Sequence, residues 1–395
     1  MDKLAKQGML FTQAYAAAPV CSPYRASLMS GQYPARIGVT DYLRPTTDWH
    51  LPDAMVTLPE QFKKAGYVTG MTGKWHLSGY AKVKGASQVK SGPQDHGFDE
   101  VMISEQRGIS GGSYFYPYKR VDLAIETVLG ENEHLIDRSN YEAVQFIERN
   151  KDKPFFLYKS HYSVHAKLNG RPELVAYFEK KPGAGKTKNN PHLAAMLKVM
   201  DDGVGMILET LEKHGLTDKT MVIFTSDNGG DGRVTSNAPL REAKSHLYEG
   251  GIREPMIVKW PSVVEPNTVC ETVVVNTDFY PTFVELLALD QPEHTLDGLS
   301  LIDVLTDQAK LERETLYWHY PLQKKHFLGG LSSGAIRQGD WKLIEFFDDN
   351  HIELYHLAED ASEKHDLAGQ YPKRAKKLHE ALVGWRNKTV QKKTY

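Results

Sequence analysis

The sequence of 395 residues predicts an α/β fold with a large, mostly parallel central sheet flanked by helices, followed by a small C-terminal α+β subdomain. Apolar strand patterns alternate with helical patterns along residues 1–300, as in parallel sheets. Several of these strands end in polar residues, which predicts a site along one edge of the sheet. Residues 301–395 instead show short alternating strands and turns, typical of an antiparallel sheet, and a terminal helix.

Composition excludes several classes of protein. The hydrophobic fraction of 41% and the charged fraction of 25% are ordinary for a soluble globular chain. A net charge of −2 gives no excess of basic residues of the kind that binds nucleic acid or an anionic membrane. No apolar run is long enough to span a bilayer. Two cysteines, Cys21 and Cys270, cannot form a disulfide framework. No signal peptide pattern follows Met1, so this end of the chain does not indicate a compartment.

The first helix of chemical interest follows Cys21. Ser22 and Pro23 are interpreted as its cap and first-turn residue, and Gly31 as its end. A cysteine at a helix N-terminus, with Arg25 one turn on, has the surroundings of an activated nucleophile that faces an anion. The alternative is a small buried residue, which is the commoner role of a lone cysteine.

The other elements follow from periodicity and from capping residues. Two continuous apolar runs, 154–165 and 221–230, are predicted as strands buried on both faces. Residues 78–118 are predicted as long surface loops and 170–191 as a charged excursion. The further predicted elements are a helix at 2–8, an extended segment at 9–19, helices at 58–64, 138–150, 192–214, 277–289 and 371–387, and strands at 67–77, 255–260, 315–321, 333–347 and 352–357.

Reactive side chains come from four separate places in the chain. They are Cys21 with Arg25, Lys74 with His76, His165, and Asp227 and Asn228 with Lys244. Taken singly, they have ordinary explanations: solvated surface lysines, a hydrogen-bonded loop histidine and a turn. Taken together they describe an anion site, because arginine and lysine neutralise negative oxygens, an Asp-Asn pair suits a hard divalent cation, and histidines transfer protons.

These residues resemble the type I sulfatases of the alkaline phosphatase superfamily. The Cys21-Ser22-Pro23-Tyr24-Arg25 run matches the signature Cys-x-Pro-x-Arg of that family. The resemblance covers nearly the whole chain in the order of the family and implies an alkaline phosphatase-like sandwich. Further matching segments are GYVTGMTGKWHL, PFFLYKSHYSVH, TMVIFTSDNGG, APLREAKSHLYEGGIREPMIVKWP and GDWKLIEFF.

The resemblance also implies a nucleophile and a metal. In the family, the signature cysteine is oxidised to formylglycine, and the hydrate of this aldehyde attacks sulfur and expels the alcohol. The second hydroxyl of the hydrate lets the sulfated intermediate break by elimination. Cys21 is thus expected to become formylglycine, and the modified Cys21, Asp227 and Asn228 are expected to bind Ca²⁺ or Mg²⁺.

Roles for the other residues follow from the same resemblance. Arg25 is expected to orient the nucleophile, and Lys74 and Lys244 to neutralise sulfate oxygens. His165, preferred to His161 on motif position, is expected to bind sulfate or protonate the leaving group. The proton of the remaining hydroxyl is expected to pass to His76, and His319 is expected to face the substrate.

The chain departs from the family pattern in three places. Family members open with an apolar strand ending in two metal-binding aspartates, and this chain begins after the corresponding position. We therefore expect an incomplete cation cage and an open apolar slot in the sheet. Gln32 and Ser30 replace a common arginine and threonine of the signature, and Ala166-Lys167 replaces the usual Thr-Pro.

The expected activity is a sulfuric ester hydrolase acting on a sulfated small molecule or oligosaccharide. Residues 79–118 and 169–191 are expected to line the substrate mouth, with Tyr114, Tyr118, Lys119 and Arg120 suited to an acidic sugar. The expected protein partner is a formylglycine-generating or anaerobic maturation enzyme, and the family resemblance implies a periplasmic or extracellular location. The alternatives are a phosphatase or phosphonate monoester hydrolase on the same scaffold, and an inactive truncated homologue.

Overall fold

A computed structural model describes residues 1–44, 47–83, 86–105, 114–118, 126–185, 188–307, 309 and 311–390, with the backbone alone for 80–83, 86–89 and 103–105. The chain divides into two compact units. We call Met1–Met9, Leu43–Val222 and Val258–Thr268 the Lys74 unit, and Leu10–Tyr42, Ile223–Ile257 and Val269–Tyr395 the Cys21 unit. The boundary at residue 300 stays a prediction. None of the described helices combines the length and apolar character needed to cross a membrane.

Helices and strands alternate along most of the chain. The helices are α1 (Asp2–Lys6), α2 (Cys21–Ser30), α3 (Pro34–Ile37), α4 (Leu58–Lys64), α5 (Leu135–Asn150), α6 (Pro172–Glu179), α7 (Pro191–Lys213), α8 (Glu249–Ile252), α9 (Phe279–Leu286), α10 (Ile302–Thr306) and α11 (Pro372–Thr389). The strands are β1 (Met9–Tyr15), β2 (Val68–Lys74), β3 (Gly79–Val83), β4 (Ala86–Lys90), β5 (Glu100–Glu105), β6 (Phe155–Ser160), β7 (Val222–Thr225), β8 (Arg253–Lys259), β9 (Thr268–Cys270), β10 (Val274–Val275), β11 (Thr315–Tyr320), β12 (Ser333–Gln338), β13 (Trp341–Phe346) and β14 (Ile352–His356).

The Cys21 unit is built on two sheets. One has the strand order β10-β1-β8-β7, with β9 also paired to β1, and its β1–β10 pair is parallel. The other is the antiparallel sheet β11-β12-β13-β14, as the sequence predicts. One face of this second sheet packs on α11 through Ile336, Leu343 and Leu354. The predicted α/β fold with a C-terminal antiparallel subdomain is confirmed.

The Lys74 unit is built on a parallel sheet with the order β5-β2-β6. Helices α5 and α7 pack together, and the Nδ2 of Asn140 donates to the carbonyl of Val199 at 2.9 Å. Helix α4 begins after Thr57, as predicted, because the Glu60 carboxylate accepts from the backbone N–H of Thr57 at 2.6 Å.

Three local predictions were wrong. Residues 78–118 contain β3, β4 and β5 rather than loops alone, and β5 joins the parallel sheet. Helix α2 begins at Cys21 after the extended residue Val20, so Ser22 is not its cap. Pro23 still falls in the first turn, where its missing N–H costs no hydrogen bond. Helix α6 occupies part of the predicted excursion.

Strands β6 and β7 are less buried than the sequence predicts. Every residue of β7, and every residue of β6 except Ser160, is half-buried, although both runs are apolar. Each strand lies at the end of the strand order of its own sheet in the described structure, which explains the partial exposure.

A buried ionic network joins the two sheets of the Cys21 unit. The ammonium of Lys342, on β13, lies 2.9 Å from a carboxylate oxygen of Glu249 and 2.9 Å from one of Glu363. All three side chains are fully buried. Glu249 also accepts from the hydroxyl of Tyr15, on β1, at 2.6 Å. The network therefore links β1, β13 and the start of α8.

The two carboxyl groups of this network have opposite pKa shifts. Burial raises the pKa of Glu363 to about 7, with Lys342 opposing the rise and Glu249 adding to it. Burial also acts to raise the pKa of Glu249, but Lys342, Tyr15 and Arg337 outweigh it and lower that pKa below its ordinary value. Glu249 is thus the carboxylate that Lys342 holds ionised.

Replacing Lys342 with methionine should cost about 3–5 kcal/mol of unfolding free energy, because two buried carboxyl groups would lose their shared cation. Urea denaturation measures this loss, with Lys364→Met at an exposed position as the control. A loss below about 1 kcal/mol would show that the network does not stabilise the unit.

Glu363 should make the protein less stable as the pH rises. Its pKa of about 7 in the folded protein lies above the ordinary value of 4.5, so its stabilising contribution is full below pH 4.5 and is lost as the pH rises through 7. The loss is at most about 3 kcal/mol. Denaturation from about pH 5 to about pH 8 should give a flatter profile for Glu363→Gln than for the wild type or the exposed control Glu359→Gln. Equal slopes in all three proteins would contradict this assignment.

Candidate active site

Cys21 is the first residue of α2 and is only 3% exposed. Asn276 braces the segment that leads into this helix: its Oδ1 accepts from the N–H of Ala17 at 2.8 Å, and its Nδ2 donates to the Ser27 hydroxyl at 2.6 Å. The position of the sulfur is therefore fixed on both sides of the turn from β1 to α2. No sequence pattern indicates Asn276, because only the fold brings it to this turn.

Lys244 is the nearest identified cation to the sulfur. Its Nζ donates to Cys21 Sγ at 3.3 Å, and its backbone N–H donates to the carbonyl of Gly230 at 3.1 Å. Burial acts to lower the pKa of Lys244, but the nearby Cys21 sulfur, Asp227 and Asp231 raise it above its ordinary value. Lys244 therefore remains an ammonium ion in a half-buried position.

Arg25 and Asp227 form the second contact of the site. Arg25 Nη2 lies 2.9 Å from Asp227 Oδ2, and the two side chains are 6% and 24% exposed. Arg25 is one turn beyond Cys21 on α2, and Asp227 follows β7. The structure thus brings together Cys21 with Lys244, and Arg25 with Asp227, as the sequence predicts for one anion site.

Asn228 provides a test of the predicted metal site. Its Nδ2 donates to the carbonyl of Gly229 at 2.9 Å, whereas its buried Oδ1 accepts no hydrogen bond from any described residue. A buried amide oxygen without a donor, next to the Asp227 carboxylate, fits a hard cation. Within the described ranges, no group of three or more His, Cys, Asp or Glu side chains is arranged to hold a metal. Asp227 and Asn228 therefore fit a cation as part of its ligand set.

Glu254 is a further acidic residue beside Asp227 that the sequence analysis missed. Burial, reinforced by the charge of Asp227, raises the pKa of Glu254 well above its ordinary value, although Ser226 opposes the rise with a hydrogen bond. Its Oε1 is buried and has no hydrogen-bond partner among the residues that the structure describes. The available signal was a glutamate at the start of an otherwise apolar strand, at 253–259.

Lys74 and His76 lie together in the Lys74 unit, where β2 ends. They are 3% and 5% exposed, and His76 has a φ of 60°, in the left-handed region. Nε2 of His76 is 2.9 Å from the carbonyl oxygen of Leu43. Since a carbonyl oxygen can only accept, Nε2 carries the ring proton, and Nδ1 is the nitrogen that can take up another.

His165 lies beyond the end of β6 in the same unit. Its Nδ1 is 2.7 Å from the carbonyl oxygen of Ala166 and therefore donates to it. The backbone carbonyls of Tyr162 and His165 both accept from the hydroxyl of Tyr114, at 2.9 and 3.1 Å. These contacts fix the segment and leave Nε2 as the basic nitrogen of His165.

A lysine before His165 was missed. Nζ of Lys159 donates to the Ser139 hydroxyl at 2.9 Å, and burial lowers the pKa of Lys159 to about 7. Burial, and then the charge of Lys159, lowers the pKa of His161 well below its ordinary value. A lysine within an apolar strand was the available signal.

His319 lies on β11 in the Cys21 unit, with its ring centroid 5.5 Å from that of Phe347. Burial and then the charge of Arg386 lower its pKa to about 4, so the ring is neutral near pH 7. Its role in substrate binding stays a prediction. Lys119 and Arg120, predicted at the substrate mouth, lie outside the described residues.

Comparison with protein families gives two matches. The sulfatase family matches residues 1–289, and the N-sulphoglucosamine sulphohydrolase C-terminal family matches residues 243–388. The first match covers most of the chain, including Cys21, Lys74, His165, Asp227 and Lys244.

Individual proteins agree with the family match. A sulfatase of Formosa agariphila is 30% identical over 98% of this chain and 82% of its own. An N-acetylgalactosamine-6-O-sulfatase of Bacteroides thetaiotaomicron is 29% identical over 97% of this chain and 87% of its own.

Solved structures show the same fold. The crystal structure of Ps i-CgsB in complex with k-i-k-neocarrahexaose is 28% identical, covers 100% of this chain and 88% of its own, and has a TM-score of 0.85. A phosphonate monoester hydrolase of Agrobacterium radiobacter is 18% identical over 98% of this chain and 90% of its own, with a TM-score of 0.67, a likeness of fold alone. The chain therefore belongs to the sulfatase family, the type I sulfatases of the alkaline phosphatase superfamily, and is a sulfuric ester hydrolase.

Proposed function

We propose that this chain hydrolyses the sulfate ester of a sulfated carbohydrate, with Cys21 as the precursor of a formylglycine nucleophile. The 3.3 Å contact between Lys244 Nζ and Cys21 Sγ carries the proposal, because it places a half-buried ammonium beside the nucleophile position. The names of two relatives, an N-acetylgalactosamine-6-O-sulfatase and a neocarrahexaose complex, support a carbohydrate substrate.

Lys244 and Arg25 supply the positive charge that a sulfate ester requires. Nonbridging oxygens and the leaving oxygen carry negative charge during the displacement, and fixed cations stabilise that charge without reorganisation. After the Cys21 sulfur is lost on conversion to formylglycine, Asp227 and Asp231 still favour the ammonium form of Lys244. Arg25 is held by Asp227 and orients the Cys21 side chain from one turn along α2.

Asp227 and Asn228 are the proposed cation ligands in this chain. The buried Oδ1 of Asn228 and the Asp227 carboxylate present oxygens of the kind that Ca²⁺ and Mg²⁺ prefer. A bound divalent cation supplies Lewis-acid stabilisation of negative oxygens. Arg25 Nη2 lies 2.9 Å from Asp227 Oδ2 and orients this carboxylate.

Lys74, His76 and His165 are assigned the remaining roles. Lys74 is proposed to neutralise sulfate oxygens. Because Nε2 of His76 donates to the Leu43 carbonyl, its Nδ1 is the proposed proton acceptor. Because Nδ1 of His165 donates to the Ala166 carbonyl, its Nε2 is the proposed group that binds sulfate or protonates the leaving oxygen.

Removing the Lys244 charge should lower kcat/KM for an aryl sulfate roughly 10²–10³-fold, as expected for one buried donor to the reacting group. Lys244→Arg should retain part of the activity, since it keeps a cation near Cys21. Steady-state assays on Lys244→Ala, Lys244→Arg and the exposed control Lys364→Ala provide the measurement. Full activity of Lys244→Ala would contradict the proposed role of Lys244 in neutralising the sulfate oxygens.

Peptide mass spectrometry should show Cys21 with its sulfur replaced by an aldehyde oxygen when the protein is coexpressed with a maturation enzyme. Cys270 serves as the internal control and should remain a thiol. The matured protein should hydrolyse aryl sulfates and sulfated oligosaccharides faster than aryl phosphates. An unmodified Cys21 would contradict the proposed nucleophile. Faster turnover of phosphate or phosphonate monoesters would favour the alternative function, that of a phosphatase or phosphonate monoester hydrolase.

A further inference from the structure

Phe327 is the most exposed large hydrophobic side chain in the described part of the chain, at 66%. It lies between β11 and β12 in the Cys21 unit, after the exposed residues Lys324 and Lys325. An exposed benzyl group costs free energy of solvation unless a ligand covers it. A lone exposed aromatic residue is common, however, so its surroundings decide whether it forms a site.

Two other rings hold Phe327 in place. The ring centroids of His326 and Phe327 are 4.4 Å apart. The centroid of the Tyr42 ring lies 5.5 Å from that of His326 and 6.3 Å from that of Phe327, and the plane of the Tyr42 ring is nearly perpendicular to each of these two rings. His326 itself is buried, and its backbone N–H donates to the carbonyl of Gly330 at 2.8 Å. We call Tyr42, His326 and Phe327 the aromatic platform. It is a supported surface rather than an isolated side chain.

A cation lies against this platform. The guanidinium carbon of Arg233 is 5.4 Å from the centroid of the Phe327 ring, within the range of a cation–π contact. Asp231 engages Nε and Nη2 of Arg233 at 3.0 and 2.6 Å, which fixes the guanidinium plane. In the described structure no hydrogen bond or ion pair engages Nη1 of this exposed residue. A preformed donor beside an exposed ring suits a ligand that has both an apolar face and an anionic group.

The platform is connected to the Cys21 site within the same unit. Arg233 is anchored by Asp231, whose charge also acts on Lys244, the residue that contacts the Cys21 sulfur. The loop that carries Phe327 packs against the residue that follows Lys244: a side chain at Gly330 would meet the backbone oxygen of Ser245. The aromatic platform is therefore next to the segment that positions Lys244.

We propose that the aromatic platform and Arg233 bind a second, anionic sugar unit of the substrate while the unit that carries the scissile sulfate lies at Cys21. The C–H face of a pyranose ring would cover Phe327, and a sulfate or carboxylate on that ring would accept from Arg233 Nη1. Lys324 and Lys325 add positive charge nearby. The inference rests on the proposed function and narrows the substrate to an anionic oligosaccharide rather than a monosaccharide.

Two kinds of substrate separate this subsite from the reaction centre. The matured protein would be assayed with 4-nitrocatechol sulfate, which has no second sugar unit, and with sulfated hexasaccharides from carrageenan and chondroitin 6-sulfate. Phe327→Ala should raise KM for a cleaved hexasaccharide about tenfold, the effect of losing partial burial of one aromatic ring. It should leave kcat/KM for 4-nitrocatechol sulfate unchanged.

Matched variants test the anionic part of the proposal. Arg233→Ala should weaken hexasaccharide binding, and Arg233→Lys should restore part of it, because the charge remains while the planar fork is lost. Tyr371→Ala is the aromatic control: Tyr371 is 42% exposed and its ring contacts Trp341, on the C-terminal sheet. Calorimetry of the same hexasaccharides with Cys21→Ala proteins, with and without Phe327→Ala, measures affinity without turnover.

Each result decides the proposal. A tenfold loss confined to hexasaccharides supports it, and a partial rescue by Arg233→Lys supports an anionic sugar. Equal losses on the aryl sulfate and the hexasaccharides would overturn it, since Phe327 would then act on the folded site as a whole. Unchanged affinity in Phe327→Ala, or no binding of any hexasaccharide by the Cys21→Ala protein, would also overturn it. Unmodified Cys21 with no aryl sulfatase activity would instead contradict the proposed function itself.

Discussion

The contact on which the Cys21 unit depends is the buried ammonium of Lys342 between Glu249 and Glu363, at 2.9 Å from each. Glu249 begins the helix that follows the Lys244 segment, so this ion pair fixes one end of that segment. The other end is fixed by Arg241, whose Nη1 donates to the carbonyl of Glu363 at 2.7 Å. Lys244 is thus held between two anchors that both involve Glu363. Without them, the half-buried Lys244 side chain would have little to keep its ammonium at the Cys21 sulfur rather than in water.

Neighbouring carboxylates allow positive charge to be concentrated at the site with less repulsion between the cations. Two of the proposed cations lie near carboxylates: Arg25 pairs with Asp227, and Lys244 lies near Asp227 and Asp231. The Cys21 sulfur, and then these two carboxylates, raise the pKa of Lys244 against the effect of burial. A sulfate entering this site would meet cations whose positions are already fixed, which is the arrangement that stabilises a transition state most effectively.

Sequence patterns predicted the residues of the site better than the contacts that hold them. Cys21 at a helix N-terminus, the helix after Thr57 and the polar strand end at Lys74 depend on neighbours within a few positions, and each was found. Asn276 and Lys342 could not be found in this way, because Ala17 and Glu249, their partners, lie 259 and 93 residues away and the pairing depends on the fold. The lowered burial of β6 and β7 was likewise missed, since an apolar run does not reveal how many neighbours its strand has. Glu254 is a charged residue near the start of an apolar strand, and the sequence alone does not tell whether such a residue is exposed or lies in a buried site.

The same anchors separate the reaction centre from the surface that recognises the rest of a substrate. Cys21 and Lys244 are fixed by side chains that are almost wholly buried, whereas Phe327 and Arg233 are 66% and 56% exposed. Asp231 belongs to both, since it restrains Arg233 directly and adds negative charge near Lys244. Because Asp231 holds Arg233 through Nε and Nη2, an anionic sugar at Nη1 would bind without releasing Asp231 and without changing the charge beside Lys244. Substrate recognition at the platform would therefore leave the cation at Cys21 as it is.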